Sequence, residues 1–351
     1  MAPLTGAGWT TSPSAADALR VRVEEESAAA GVRRRATALA ERLGFAGERL
    51  EHVRLAATEA ATNLARHARR GEMHLRIVRD DRSAVLEFVA VDTGPGITDV
   101  PVSLLDGHST RGTLGLGLGS IERLSDGCGL YSLPGAGTVL YARFRPPGTP
   151  AGAAADPPFA GLTVPIDGEE ECGDAYTARL LDGAVYALLC DGLGHGPLAA
   201  RAAWEAVRAA HETALPASPS DVLRRVGERL APTRGGAVAV AVVEPSAGRV
   251  RYAGVGNIAG WIVVPDRRQG MVSTPGISGA AAGRIREYAY ELPAGAAVVL
   301  HSDGLTGRWS VADRPGLRLD DPLLLAATLL RDAGTRHDDR SVLAIAADGR
   351  W

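Results

Sequence analysis

Glu59, Asn63 and His67 stand four residues apart in EAATNLARHA, a spacing that puts them on one face of a helix. A carboxylate and an amide one turn apart can do complementary chemistry. The carboxylate polarises a hydroxyl nucleophile, and the amide oxygen ligates Mg²⁺. Further along, DTGPGI closes an apolar strand. Asp92 at that strand end can accept a hydrogen bond from an exocyclic amine, and Gly94 and Gly96 allow a tight turn that a flat ring can approach. A third piece, Gly115-Leu116-Gly117-Leu118-Gly119, opens a helix, where bare backbone N–H groups and the helix dipole can hold phosphate. No strand immediately precedes this run, so a Rossmann reading fails.

The second half carries four acidic stations: ECGDAY with Asp174, CDGLGHG with Asp191, HSDGLTGRW with Asp303, and RHDDRSVL with Asp338 and Asp339. Each lies beside Gly or at a strand boundary, where a carboxylate can turn into a shared cleft. Converging carboxylates repel one another unless a divalent cation neutralises them, and oxygen-only ligands favour Mg²⁺ or Mn²⁺ over zinc. Two such ions can share a water and lower its pKa from about 15.7 toward about 7, which suits hydrolysis of a phosphoester.

Composition removes competing chemistries. All 38 of the Lys+Arg residues are Arg. Without Lys there can be no P-loop lysine, no third-strand lysine of a eukaryotic-type kinase and no Schiff base. The absence fits the codon bias of a GC-rich genome, and any handling of phosphate must take a route that does not need Lys. A net charge of -3 with interspersed signs gives no basic footprint for nucleic acid. Three scattered cysteines, Cys128, Cys172 and Cys190, indicate neither a disulfide framework nor a zinc site. No signal peptide and no apolar stretch of about 20 residues is present, so a cytoplasmic protein without membrane contact is expected.

These residues must be positioned by two domains, as 351 residues with 46% hydrophobic content allow. The Pro/Gly/Ala stretch 146–160 reads as a linker and the first twenty residues as a loose tail. Before the linker, over 21–145, helices at Ala28–Leu43 and Glu48–Arg70 precede strands at His74–Arg79 and Ala84–Val91; a loop, a glycine-rich helix entry and a hairpin follow. That order predicts an α+β sandwich with helices on one face of a mixed sheet. After it, over 161–349, many short strands and two central helices predict a β-sandwich flanked by helices.

The three N-terminal pieces, in this order, resemble the N, G1 and G2 boxes of the GHKL (Bergerat) ATPase/kinase superfamily, and GLGLGSIERLSD most resembles RsbT/RsbW-type anti-sigma-factor serine kinases. The resemblance implies that Glu59 is the general base for a protein serine, that Asn63 ligates Mg²⁺ of bound ATP and that Asp92 binds the adenine amine. Gly94, Gly96, Gly115, Gly117 and Gly119 would shape the pocket, and His67 is read as structural. The acidic series resembles the SpoIIE/RsbX branch of the PPM phosphatases. That resemblance implies that Asp191 bridges two Mn²⁺ or Mg²⁺ ions, the Gly192 carbonyl completes the first site, and Asp303 with Asp338 holds the second. Asp174 would bind directly or through water, and Asp339 is the second choice for the C-terminal ligand. His195 is read as a helix-start or supporting residue, His301 and Cys190 as packing, and Glu169-Glu170-Glu171 as solvated surface.

The resemblances together imply a bifunctional regulator acting on STAS-domain anti-sigma-factor antagonists in a partner-switching pathway, with a sigma factor or stressosome component as a further partner. Two alternatives stay open for the N-terminal domain: an ATP sensor that transfers nothing, and a module that only binds its partner.

Overall fold

The computed structural model describes residues 8–80, 83–103, 117–149, 156–280 and 285–347. The chain forms two compact units, one of residues 16–79 and 83–155, the other of 1–15, 80–82 and 156–351. The first strand, β1 (Thr10–Thr11), belongs to the second of these. The first unit begins with β2 (Ala18–Arg22) and continues through α1 (Glu26–Arg42), α2 (Gly47–His67), β3 (Glu72–Arg79), β4 (Ala84–Val91), the short α3 (Val100–Ser103), α4 (Leu118–Leu124), β5 (Gly127–Leu133) and β6 (Gly137–Phe144).

Alanines at helical spacing, Ala36 and Ala40 on α1 and Ala56, Ala57, Ala60 and Ala61 on α2, are buried and let the two helices pack closely. Their apolar face covers Leu75, Ile77, Leu86, Phe88 and Phe144 on the sheet. Each large side chain buried there contributes about 1.5–3 kcal/mol. The sheet order is β2-β3-β4-β6-β5, and every pair is antiparallel rather than mixed. The expectation of a mixed sheet fails because β5, which runs parallel to β4, takes the edge and β6 intervenes.

In the second unit, β7 (Phe159–Val164), β8 (Asp174–Leu181) and β9 (Ala184–Gly192) lead to α5 (Pro197–His211) and α6 (Pro219–Leu230). Then come β10 (Gly236–Glu244), β11 (Arg249–Val255), β12 (Ala259–Val264), β13 (Arg267–Met271), β14 (Glu287–Glu291), β15 (Ala297–His301), α7 (Pro322–Ala333) and β16 (Arg340–Ala346). Two antiparallel sheets, β1-β8-β9-β10-β11-β14 and β13-β12-β15-β16-β7, face each other. Tyr176, Leu189, Tyr252, Ile262, Leu300 and Leu343 fill the space between them. α5 and α6 cover the outer face of the first sheet through Ala203, Ala206, Val222 and Val226, and α7 lies on β16 and β7 of the second. This is an α-β-β-α sandwich.

Within the described part of the expected loose tail, residues 8–20, the chain is anchored. Residues 1–7 lie outside the described region, but Thr10 and Thr11 pair with Ala178 and Thr177 of β8. Trp9 is buried and stacks on His211 at 5.0 Å. Ala18–Arg22 pairs with β3. A single aromatic anchor and short β-pairing hold a segment whose composition alone reads as disordered. The linker also ends earlier than expected: β7 starts at Phe159, which is buried and pairs with Ile345, while residues 150–155 lie outside the described region.

Candidate functional site

In the first unit, α2 and the end of β4 border one cavity of about 380 Å³, within the size range of small-molecule sites. Its wall brings together Glu59, Asn63, Asp92, Gly96 and Gly117 from the three separate sequence pieces. His67 lines it too. Gly94 and Gly119 sit in the same turn and helix, and Gly115 lies outside the described residues. Asp92 is buried, and its Oδ1 accepts the Gly94 N–H at 2.6 Å, which fixes the carboxylate at the strand end. Gly96 has φ +70 and lies so close to the Leu133 carbonyl that a β-carbon would overlap it. No other residue type fits that turn. The Asn63 Nδ2 is buried without a hydrogen-bond partner.

Sequence reasoning missed Ile97, Thr138 and Leu140, which also line the cavity and give it an apolar wall beside Asp92. Thr138 is the second residue of β6, and its carbonyl accepts the Asp92 N–H at 3.0 Å. An open groove on the outer side of α1 and α2, about 600 Å³ and lined by Arg33, Arg34, Thr37, Arg54 and Leu55, also reaches Glu59.

The second unit gathers its carboxylates at one end of the sandwich. Asp174 and Asp191 are direct cross-strand partners on β8 and β9. By alternation they share the face that carries Tyr176 and Leu189, so both point between the sheets. From the opposite sheet, Asp303 follows β15 and Asp338 precedes β16. Ser302 and Ser341 close the ladder between them, through Ser302 N–H to the Ser341 carbonyl and Ser341 N–H to Ser302 Oγ. The backbone at Gly304 abuts the Asp339 carbonyl with no room for a β-carbon, which locks the last two stations together.

Burial pushes the Asp191 carboxyl well above the carboxylate range, and Asp174, Asp303, Asp338 and Asp339 push it further. Burial likewise raises Asp174; the Ser302 and Ser341 hydroxyls oppose this and Asp339 and Asp303 add to it. Neither Asp174 oxygen has a partner of good hydrogen-bonding geometry. Asp303 is raised by burial and by Asp338. Asp339 differs: its Oδ1 accepts the Ile166 N–H and its Oδ2 the Gly173 N–H, both at 2.8 Å. Its two oxygens are thus committed to holding the chain before β8, whereas among the described residues Asp338 accepts the neighbouring Asp339 N–H alone. Among the described residues no three such side chains close into a finished metal cage. The donor set is nonetheless all oxygen, partly orphaned and mutually repulsive, which fits a hard divalent cation.

Several neighbours of this cluster were not foreseen. Asn257 Nδ2 donates to Asp303 Oδ2 at 2.6 Å. The Arg268 guanidinium lies between the Trp261 and Trp309 rings, 4.0 and 4.2 Å from their centroids, and donates to the Gly307 carbonyl. Both indoles donate to His301 Nε2, at 3.2 and 3.3 Å, so His301 ties together the segment around Asp303 rather than merely filling space. Glu169 is not simply solvated surface, since its Oε1 meets His195 Nδ1 at 3.0 Å beside the CDGLGHG turn. Cys190 is a packing residue against α5 and α6.

Comparison with known proteins agrees with both halves. The model of the histidine kinase-like ATPase domain matches residues 21–144, and that of stage II sporulation protein E (SpoIIE) matches residues 181–348. Serine/threonine-protein kinase RsbT of Bacillus subtilis (strain 168) is 34% identical over 122 residues, which span 35% of this chain and 92% of RsbT. The chain belongs to the RsbT family of histidine kinase-like ATPases, joined here to a SpoIIE domain.

Solved structures similar to the chain include one from a study of the bacterial stressosome and that of RsbX in complex with magnesium. The first is 28% identical, with TM-score 0.48 and coverage of 53% of this chain and 97% of that one. The second is 17% identical, with TM-score 0.47 and coverage of 54% and 94%. In the RsbT-like unit the described elements supply the histidine kinase-like ATPase fold; in the SpoIIE unit they supply the α-β-β-α sandwich. No described helix is long and apolar enough to cross a membrane.

Proposed function

We propose that the chain is a bifunctional regulator of partner switching: a metal-dependent phosphoserine/phosphothreonine protein phosphatase joined to an ATP-dependent protein-serine kinase. The substrates are STAS-domain anti-sigma-factor antagonists, with a sigma factor or stressosome component as further partner, and the site of action is the cytoplasm. The observation that carries the phosphatase reading is the meeting of Asp174, Asp191, Asp303 and Asp338 at one end of a SpoIIE sandwich, where burial and neighbouring carboxylates raise Asp174, Asp191 and Asp303, a cost that a bound cation would offset. Asp191, the Gly192 carbonyl, Asp303 and Asp338 would hold two Mn²⁺ or Mg²⁺ ions, with Asp174 bound directly or through water. When bound, the pair supplies Lewis acidity toward water and a phosphoryl oxygen. The chain's own part is to fix those carboxylates on two rigid sheets and to orient Asp303 through Asn257. Asp339 serves to position the connection between β7 and Asp174.

In the RsbT-like unit, Asp92 would accept the adenine amine, Asn63 would hold Mg²⁺ of ATP, and Glu59 would take the proton from an acceptor serine. Transfer rather than mere sensing is supported by the position of Glu59, which borders both the nucleotide-sized cavity and the outer groove from which an acceptor could approach. Incubating the full chain with ATP, Mn²⁺ and STAS proteins and following phosphoserine by mass tests both halves. Asp303→Ala should abolish dephosphorylation and Glu59→Ala should abolish phosphorylation, with folding intact. A retained activity in either variant overturns that half of the reading.

A further inference from the structure

Arg234 stands in the turn between α6 and β10, just ahead of Gly235 and Gly236. The β9–β10 ladder pairs Ala237 with Asp191 and Gly236 with Gly192, and Leu193 donates its N–H to the Gly235 carbonyl at 3.0 Å. Carried two steps further, the same register brings Arg234 opposite Gly194. There, a β-carbon on Gly194 would stand 3.4 Å from Arg234 Nη1. The guanidinium therefore lies beside the turn that carries Asp191 and the Gly192 carbonyl.

Arg234 is exposed, and among the described residues it forms no ion pair or hydrogen bond. On the preceding helix Arg224 pairs with Asp221 and Arg229 with Glu205. His195, the other side chain of the turn that could carry positive charge, is taken by Glu169. A phosphomonoester dianion entering this site faces Asp174, Asp191, Asp303 and Asp338, and the chain has no Lys to offset them. A free guanidinium at the rim supplies charge and a planar pair of N–H donors that matches two phosphoryl oxygens.

We propose that Arg234 binds the phosphoryl group of the phosphoserine or phosphothreonine substrate, and the inorganic phosphate left after hydrolysis. The proposal rests on the phosphatase reading of this unit. Its test uses the full chain with Mn²⁺, a phosphoserine peptide as substrate, and inorganic phosphate both as competitive inhibitor and as calorimetric titrant. Losing hydrogen bonds to a charged group predicts that Arg234→Gln raises KM and weakens phosphate binding by the same factor, roughly 10-fold or more, with kcat changed far less. Arg234→Lys should recover part of the loss, because it keeps the charge but not the fork. Unchanged KM and unchanged phosphate affinity in Arg234→Gln would overturn the proposal. Wild-type protein that fails to hydrolyse the peptide would instead refute the phosphatase reading, and the calorimetric comparison would still decide whether Arg234 holds phosphate.

Discussion

Asp174 and Asp191 are cross-strand partners, two carboxylates directly opposite on β8 and β9 and aimed between the sheets. Like charges in that relation destabilise a sheet, and burial adds to the cost. For Asp191 the folded-state pKa is raised, by burial first and by the surrounding carboxylates next. An acid with a raised folded pKa favours the fold while protonated, so metal-free stability should fall as pH climbs above the ordinary Asp value of about 3.9 toward and through neutrality. Asp191→Asn removes that ionisation. In EDTA near neutral pH this variant should melt higher than wild type, by roughly 2–4 °C for each kcal/mol relieved, and its stability should vary less with pH. Mn²⁺ should raise the wild-type melting temperature and have little effect on the variant, which should be inactive. All five tryptophans lie outside residues 16–155, so tryptophan fluorescence reads this unit alone. A variant that melts below wild type without metal would contradict the electrostatic account.

Asn257 reaches Asp303 from the turn between β11 and β12, at 2.6 Å. Residues that orient a metal ligand typically affect affinity by about 10–100-fold when removed. Asn257→Ala should therefore raise the Mn²⁺ concentration needed for half-maximal phosphatase activity by about that factor, with activity largely recovered at saturating metal. Asn257→Asp would place another carboxylate in the cluster and should not restore wild-type affinity at low metal. Equal metal dependence in wild type and Asn257→Ala would remove Asn257 from the site.

The acidic stations were legible in sequence because each Asp ends or precedes an apolar strand, and a strand end is where a sheet protein presents side chains to a cleft. The nucleotide-sized cavity was legible for a similar reason: helical spacing aligned Glu59 with Asn63, and a strand terminus fixed Asp92. What stayed hidden depends on partners far apart in the chain. Nothing local in VGNIAG points Asn257 at Asp303, and nothing in TRGG points Arg234 at Gly194. The adjacent pair Asp338 and Asp339 could not be separated from sequence, because what distinguishes them is a pair of backbone N–H groups at Ile166 and Gly173. β13, with the sequence RRQGM, carries almost no apolar signal, yet it pairs with β12 and brings Arg268 between two indoles. The N-terminal strands were lost for want of length, being held by Trp9 and by neighbours far along the chain.

The buried Asp92 carboxylate tests the nucleotide site without involving phosphoryl transfer. Its Oδ1 is already bonded to Gly94 N–H, and the cavity beside it is walled by Ile97, Thr138 and Leu140. Asp92→Asn keeps an oxygen for Gly94 but replaces a charged acceptor with an amide that can no longer present acceptors on both arms. A hydrogen bond to a charged group contributes about 1.5–3 kcal/mol, so ATP affinity measured by calorimetry should fall roughly 10- to 150-fold. Purine nucleotides without an exocyclic 6-amine should bind wild type weakly and should not be weakened further by the substitution. Glu59→Gln should bind ATP nearly as wild type, because the proposed base touches the acceptor rather than the purine. If Asp92→Asn kept full affinity while Glu59→Gln lost it, the orientation of nucleotide assigned to this cavity would have to be reversed.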